Sequence, residues 1–321
     1  MQTAAGDWPV SDPASQGMDP RLLEEMQATI QSERIPLHSL LILRNGQIVF
    51  EEYYDKNTPE TQHVQFSVTK SVISTLIGIA IDQGKLEGID RKVVDFFPGK
   101  TFSAPDPRKA EMTIEDLLTM TSGLDWNEEN SSFGALYRSS DWSKWVLDLP
   151  MAAEPGQAFS YCSGCSHVLS VILQEATGEN PRDFADQYLF QPLGITDYEW
   201  ETDPDGTPIG GWGLSLTPRD MARLGALYLN EGTWGGVQII SPGWVKAATT
   251  ARVQTGGRLG YGYQWWIYDT YNAYTALGRD GQAIFVSPDL DLIVVTTAEM
   301  RGGHDPIFSL IDTYIIPAAT D

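Results

Sequence analysis

Three short chemistry-bearing elements stand far apart in this 321-residue chain, and a fold that unites them must bring both ends of the chain to its middle. Ser67-Val68-Thr69-Lys70 opens an apolar helical run, Tyr161-Cys162-Ser163 precedes a second, and Arg279-Asp280-Gly281 leads into a strand near the end. Each is weak alone, since a Ser-x-x-Lys spacing arises about once by chance in a chain of this size. Their order and local context carry the reading.

A serine hydroxyl is a poor nucleophile at neutral pH and needs a base within hydrogen-bond reach. Residues three apart on a helix share a face, so Lys70 can lie beside Ser67 if the segment is helical. Val68, Val72, Leu76 and Ile79 supply the apolar stripe, and Gly84 is a stop signal. Ser67 then falls in the first turn, where free N–H groups and the helix dipole favour negative charge, as on an acyl-transfer oxyanion. The bland alternative is a capping serine with a solvated lysine. Glu154-Pro155-Gly156 reads as a turn delivering a short extended segment to Tyr161, ahead of a helix with Val168, Leu169, Ile172 and Leu173 inward. A tyrosine there can shuttle the serine proton to a leaving group, or be an ordinary core tyrosine.

Taken together, Ser67-Val-Thr-Lys70, Leu117-Leu-Thr-Met-Thr-Ser-Gly-Leu124 and Tyr161-Cys-Ser163-Gly resemble the serine β-lactamase, penicillin-binding-protein and family VIII carboxylesterase superfamily. Gly213-Leu-Ser-Leu-Thr-Pro-Arg-Asp-Met-Ala-Arg-Leu-Gly225, Tyr261-Gly-Tyr-Gln-Trp-Trp266 and Gly278-Arg-Asp-Gly-Gln282 extend the resemblance over nearly the whole chain, nearest to the 6-aminohexanoate-dimer hydrolase-like serine hydrolases. It implies Ser67 as nucleophile, with Lys70 and Tyr161 as acid/base partners that titrate as a coupled pair. It also implies an oxyanion hole from the backbone N–H groups of Ser67 and Gln282, and an acyl-serine intermediate attacked by water.

Two departures bear on the substrate. Ser163 stands where β-lactamases and transpeptidases carry an asparagine, and Arg279-Asp280-Gly281 stands where they carry Lys-Thr/Ser-Gly. Ser163, Arg279, Asp280 and Gly281 are thus the expected substrate-binding residues. Asp280 is expected to repel a substrate carboxylate, while Arg279 keeps the cation. These changes favour a carboxylesterase or an amidase acting on small acyl substrates, linear amide oligomers among them. A D-Ala-D-Ala peptidase or β-lactamase, an acyltransferase and a non-catalytic binding protein are the alternatives.

The composition bounds the partners. Hydrophobic residues at 42% mark a soluble globular protein, and a net charge of −22 disfavours nucleic acid and anionic membranes. No stretch approaches the roughly 18 apolar residues of a membrane span. Met1-Gln-Thr-Ala-Ala shows neither a charged nor an apolar signal region, so the compartment stays open between cytoplasm and secretion after loss of a leader. The expected state is a monomer or homodimer. Cys162 and Cys165 form a lone Cys-x-x-Cys, read as two packed reduced cysteines with a redox pair as the alternative. His38, His63, His167 and His304 show no metal spacing, and no P-loop, dinucleotide fingerprint or Gly-x-Ser-x-Gly elbow occurs. No cofactor or metal is therefore expected.

The predicted architecture is α+β, an antiparallel sheet sandwiched with helices plus an inserted helical lobe, as in the β-lactamase/transpeptidase fold. Residues 1–66 and 213–321 are assigned to a discontinuous sheet domain and 67–212 to a mainly helical one. Asp19-Pro20 starts a helix with Leu22, Leu23, Met26 and Ile30 inward, and Asn45-Gly46 marks a hairpin between Ser39–Leu43 and Gln47–Tyr53. A helix is expected at Pro218–Leu229, strands at Gly260–Tyr268, Tyr274–Gly278, Gln282–Ser287 and Leu292–Thr297, and a last helix near Pro306–Ile316. The Trp- and Tyr-rich stretch from Trp126 to Trp145 is read mainly as core or lid packing, with cleft lining as the alternative.

Overall fold

A computed structural model describes residues 8–102, 105–128, 131–301 and 303–320. Its first long helix, α1 (Pro20–Glu33), begins as the sequence predicts: Asp19 accepts a hydrogen bond from the Arg21 N–H, and proline occupies the first turn. Leu23, Met26 and Ile30 are buried along one face, with Leu22 half-buried beside them. Next come β1 (Leu37–Arg44) and β2 (Gln47–Tyr53), joined through Asn45 and Gly46 at φ 50° and 72°. Two left-handed residues give the turn whose twist suits a two-residue hairpin.

The helix α2 (Val68–Asp82) is enclosed by its neighbours, and every residue from Val68 to Ala80 is buried. α3 (Ser163–Thr177) ends at Gly178 with φ 72° and buries Val168, Leu169, Ile172 and Leu173. α4 spans Pro218–Leu229, with Thr217 capping the Asp220 N–H. The other strands of the main sheet are β3 (Val253–Gln254), β4 (Gly260–Tyr261), β5 (Trp266–Tyr268), β6 (Ala273–Gly278), β7 (Gln282–Ser287) and β8 (Leu292–Ala298). They join the hairpin in one eight-stranded sheet, ordered β2-β1-β8-β7-β6-β5-β4-β3, with every pairing antiparallel.

The sheet is buried on both faces, which explains why β8 reads Leu-Ile-Val-Val-Thr-Thr-Ala without alternation. On one side lie α1 and the helical turns from Asp305 to Thr320; on the other lie α2 and α4. Gly225 on α4 lets that helix approach closely, because a Cβ there would sit 2.9 Å from Ile284 and Ile293. α2 also packs on α3, so one helix touches both the sheet and the helical segment.

Two expectations need correction. The strand expected over Gly260–Tyr268 is broken into β4 and β5, because the chain reverses between them and Gln264 takes φ 62°. The buried Gln264 amide then donates to the Leu117 and Leu118 carbonyls and accepts from Ser166, tying the sheet to the helical segment. The last helix begins at Asp305 and runs on to Thr320 through a wider turn at Ile311–Ile315.

Candidate active site

Ser67 reaches its position through strain. Phe66, a bulky residue, sits at φ 46°, in a left-handed conformation that costs on the order of 1–2 kcal/mol. That kink turns the chain from a short strand at His63–Val64, paired with Leu214–Leu216, into α2. Ser67 precedes the first helical residue with φ −74° and ψ −6°, and its side chain caps nothing. Lys70, one turn on, is not solvated either: it is 1% exposed. Its Nζ donates to Ser67 Oγ at 2.8 Å and to the Gly211 carbonyl at 2.7 Å. The capping-serine alternative therefore fails on both residues.

Burial makes the ammonium form of Lys70 costly and pushes its pKa down to about 8. The Glu128 carboxylate opposes that fall, and the Arg279 charge adds to it. Tyr161 arrives just ahead of α3. Its ring stacks on Trp266 at 5.7 Å and 22°, and Lys70 Nζ lies 4.9 Å from the ring centroid. Burial drives the phenol well above its usual pKa, while its contact with the Ser67 hydroxyl pulls the other way. A phenol kept neutral can hand a proton on, and an amine whose pKa is lowered toward neutrality can take one in its deprotonated form.

The arrangement separates the remaining expected residues. Ser163 and Arg279 border a cavity of about 450 Å³ together with Ser67, and the Arg279 guanidinium lies 5.8 Å from the Phe66 ring. Asp280 and Gln282 line a different recess with His38, His63 and Glu299, behind Phe66. The cause is the β6–β7 turn, where Asp280 at φ 63° sends neighbouring side chains to opposite sides. Asp280 is thus absent from the lining of both cavities at Ser67, whereas Arg279 lines both. Gly281, at φ 96°, is packed against Ala298, Ile307 and Met300. Gln282 begins β7 opposite Gly278, and its side-chain amide donates to the Ala298 carbonyl.

Sequence reasoning missed Glu128. Its carboxylate accepts from the Ser163 hydroxyl and N–H at 2.5 and 3.1 Å and from the Trp126 indole at 2.5 Å. It borders both cavities that flank Ser67. Only its place just past the Leu117–Leu124 motif could have flagged it. Trp212, Phe133 and Tyr137 form the aromatic wall of the 450 Å³ cavity, so part of the Trp126–Trp145 stretch does line a cleft. Trp126 and Trp142 are buried, as packing residues. The signal for Trp212 was the preceding Gly210-Gly211. A Cβ at either glycine would meet the α3 backbone, 2.2 Å from the Ser166 oxygen or 2.6 Å from that of Ser163.

Cys162 and Cys165 form a disulfide, correcting the expectation of two reduced thiols. Cys162 is the cap of α3 and Cys165 lies in its first turn, with Cα atoms 5.2 Å apart and within bridging range. Among the described residues, no group of three or more His, Cys, Asp or Glu is placed to hold a metal. No helix among them is long and apolar enough to cross a membrane.

The chain matches the Beta-lactamase family over residues 21–306. It is 25% identical to the 6-aminohexanoate-dimer hydrolase of Paenarthrobacter ureafaciens over 80% of this chain and 71% of that one. It is 27% identical to penicillin-binding protein 4 of Amycolatopsis lactamdurans, over 67% of this chain and 64% of that one. Its fold is shared with EstCE1, a hydrolase with promiscuous acyltransferase activity, at a TM-score of 0.78 and 21% identity, covering 96% and 100% of the two chains.

Proposed function

The chain belongs to the Beta-lactamase family of hydrolases, and from that premise we propose that it cleaves ester or amide bonds of small acyl substrates through an acyl-serine at Ser67. The observation that carries this reading is the 2.8 Å contact between a buried Lys70 Nζ and Ser67 Oγ. Neutral Lys70 takes the hydroxyl proton as Ser67 attacks the carbonyl carbon. Tyr161, neutral and adjacent, delivers a proton to the departing oxygen or nitrogen. Water then attacks the acyl-serine with the same pair acting in reverse.

The developing oxyanion is assigned to the Ser67 N–H and a second N–H from the β6–β7 turn. Gln282 is the residue the resemblance implies, and Gly278 and Arg279 are the turn residues bordering the cavity. Losing one such donor typically costs about 3 kcal/mol of transition-state stabilisation. The Ser163–Glu128 pair would hold the acyl side of the site in place.

A second reading has one observation in its favour. Arg279 borders the cavity while Asp280 does not, so a substrate carboxylate near the scissile bond meets a cation. A peptide terminus or β-lactam fits that description, whereas Glu128 and Glu201 in the same cavity count against it. Hydrolysis of p-nitrophenyl butyrate and of nitrocefin by wild type and Ser67→Ala decides. The expected result is faster turnover of the ester, reduced roughly 10,000-fold or more in Ser67→Ala with the melting temperature preserved. Faster turnover of nitrocefin would favour the second reading, and ester turnover unaffected by Ser67→Ala would refute the site.

A further inference from the structure

Two cavities meet at Ser67, and they differ in chemistry. The first, of about 450 Å³, has the Phe133–Tyr137–Trp212 wall and the carboxylates of Glu128 and Glu201. The second, of about 420 Å³, is walled by Leu259, Trp266, Leu277 and Phe308, and Tyr161 borders this one alone. Arg279 and Glu128 touch both and do not discriminate between them.

Resting on the serine-hydrolase reading, we propose that the second cavity receives the leaving group and selects apolar alcohols or amines, while the first receives an acyl group without a terminal carboxylate. A general acid must lie within hydrogen-bond distance of the atom it protonates, so the departing oxygen or nitrogen leaves on the side where Tyr161 stands. The substituent on that atom then extends along Leu259, Leu277 and Phe308. Apart from Ser67, Tyr161 and the shared Glu128 and Arg279, its polar neighbours are His304 and Asp305. His304 Nε2 is already engaged with the Gly278 carbonyl at 2.7 Å, and Asp305 is exposed. On the opposite side, the Glu201 carboxylate, which borders the first cavity and not the second, repels an acyl group ending in a carboxylate of its own.

Trp266 couples the pocket to the chemistry. It lines the second cavity and stacks on the Tyr161 ring, so an apolar group packed there bears on the indole that orients the acid. Hydrophobic leaving groups should therefore gain in rate as well as in binding. Leu259 is half-buried and lies outside the strands, so the size of the cavity is adjustable there without cutting into the sheet.

The test uses butyrate esters of methanol, butanol, hexanol and octanol, followed by pH-stat, with wild type, Leu259→Trp and Leu259→Ala. Wild type is expected to show kcat/KM at least tenfold higher for hexyl than for methyl butyrate. Leu259→Trp, which fills the cavity, should reduce that ratio below threefold, and Leu259→Ala should move the optimum to a longer alcohol. Neither variant should change the dependence on acyl length measured with p-nitrophenyl acetate, butyrate and octanoate. A wild-type preference for methyl butyrate, or a Leu259 effect confined to the acyl series, overturns the assignment. If no ester is turned over in a Ser67-dependent way, the esterase reading falls, and the assignment with it.

Discussion

Lys70 is the residue whose charge decides whether the proposed site can work. It must be neutral to accept a proton, and burial brings its pKa down to about 8. kcat/KM should therefore rise with pH and level off above about 8, an apparent value that belongs to the coupled Lys70–Tyr161 pair. Glu128 favours the protonated amine. Removing its charge in Glu128→Gln should move the rising limb to lower pH, and a limb that stays put or moves up would exclude Glu128 from setting the charge. The same substitution weakens the acceptor for the Ser163 hydroxyl, so KM should rise as well. Phe66 belongs to this scale too, since its left-handed backbone is the local cost of presenting Ser67.

Among the elements, α3 and the 207–213 loop form the unit that holds Gly211 over Lys70. The Ser170 hydroxyl donates to the Pro208 carbonyl at 2.7 Å, and His167 pairs with Asp203 at 3.0 Å. Gly210 and Gly211 let the loop lie directly on the helix backbone. Gly210→Ala should consequently cost about 1–3 kcal/mol, because its Cβ would fall 2.2 Å from the Ser166 oxygen. Activity should drop by more than the stability loss explains, as the Gly211 carbonyl moves off Lys70. Chemical denaturation paired with ester kinetics checks both; unchanged activity would mean the loop tolerates displacement.

Across the whole molecule, a net charge of −22 makes the folded state repel itself. Many surface pairs, such as Arg21–Asp19 and Lys92–Glu111, are exposed and individually worth little. Salt screens both effects, shortening the Debye length from about 30 Å at 0.01 M to about 8 Å at 0.15 M. Relief of the net repulsion should dominate, raising the melting temperature by roughly 2–4 °C, equivalent to about 1 kcal/mol. A fall over the same range would show that paired charges outweigh the excess.

Local rules are what the sequence by itself determined. Asp19-Pro20, Asn45-Gly46 and Thr217-Pro218 are caps and turns whose partners lie within four residues, so α1, the β1–β2 hairpin and α4 were all legible. The Ser67–Lys70 contact was legible for the same reason, being one helical turn. Tertiary structure alone decided that Arg279 and Asp280, adjacent in the chain, border different recesses, because those recesses are walled by segments distant in sequence. It also decided that Glu128 reaches Ser163 across 35 residues, and that β4 and β5 part so Gln264 can be buried. Such long-range contacts leave no periodicity in the chain: each depends on where another segment closes, and a pattern read along the sequence registers only neighbours.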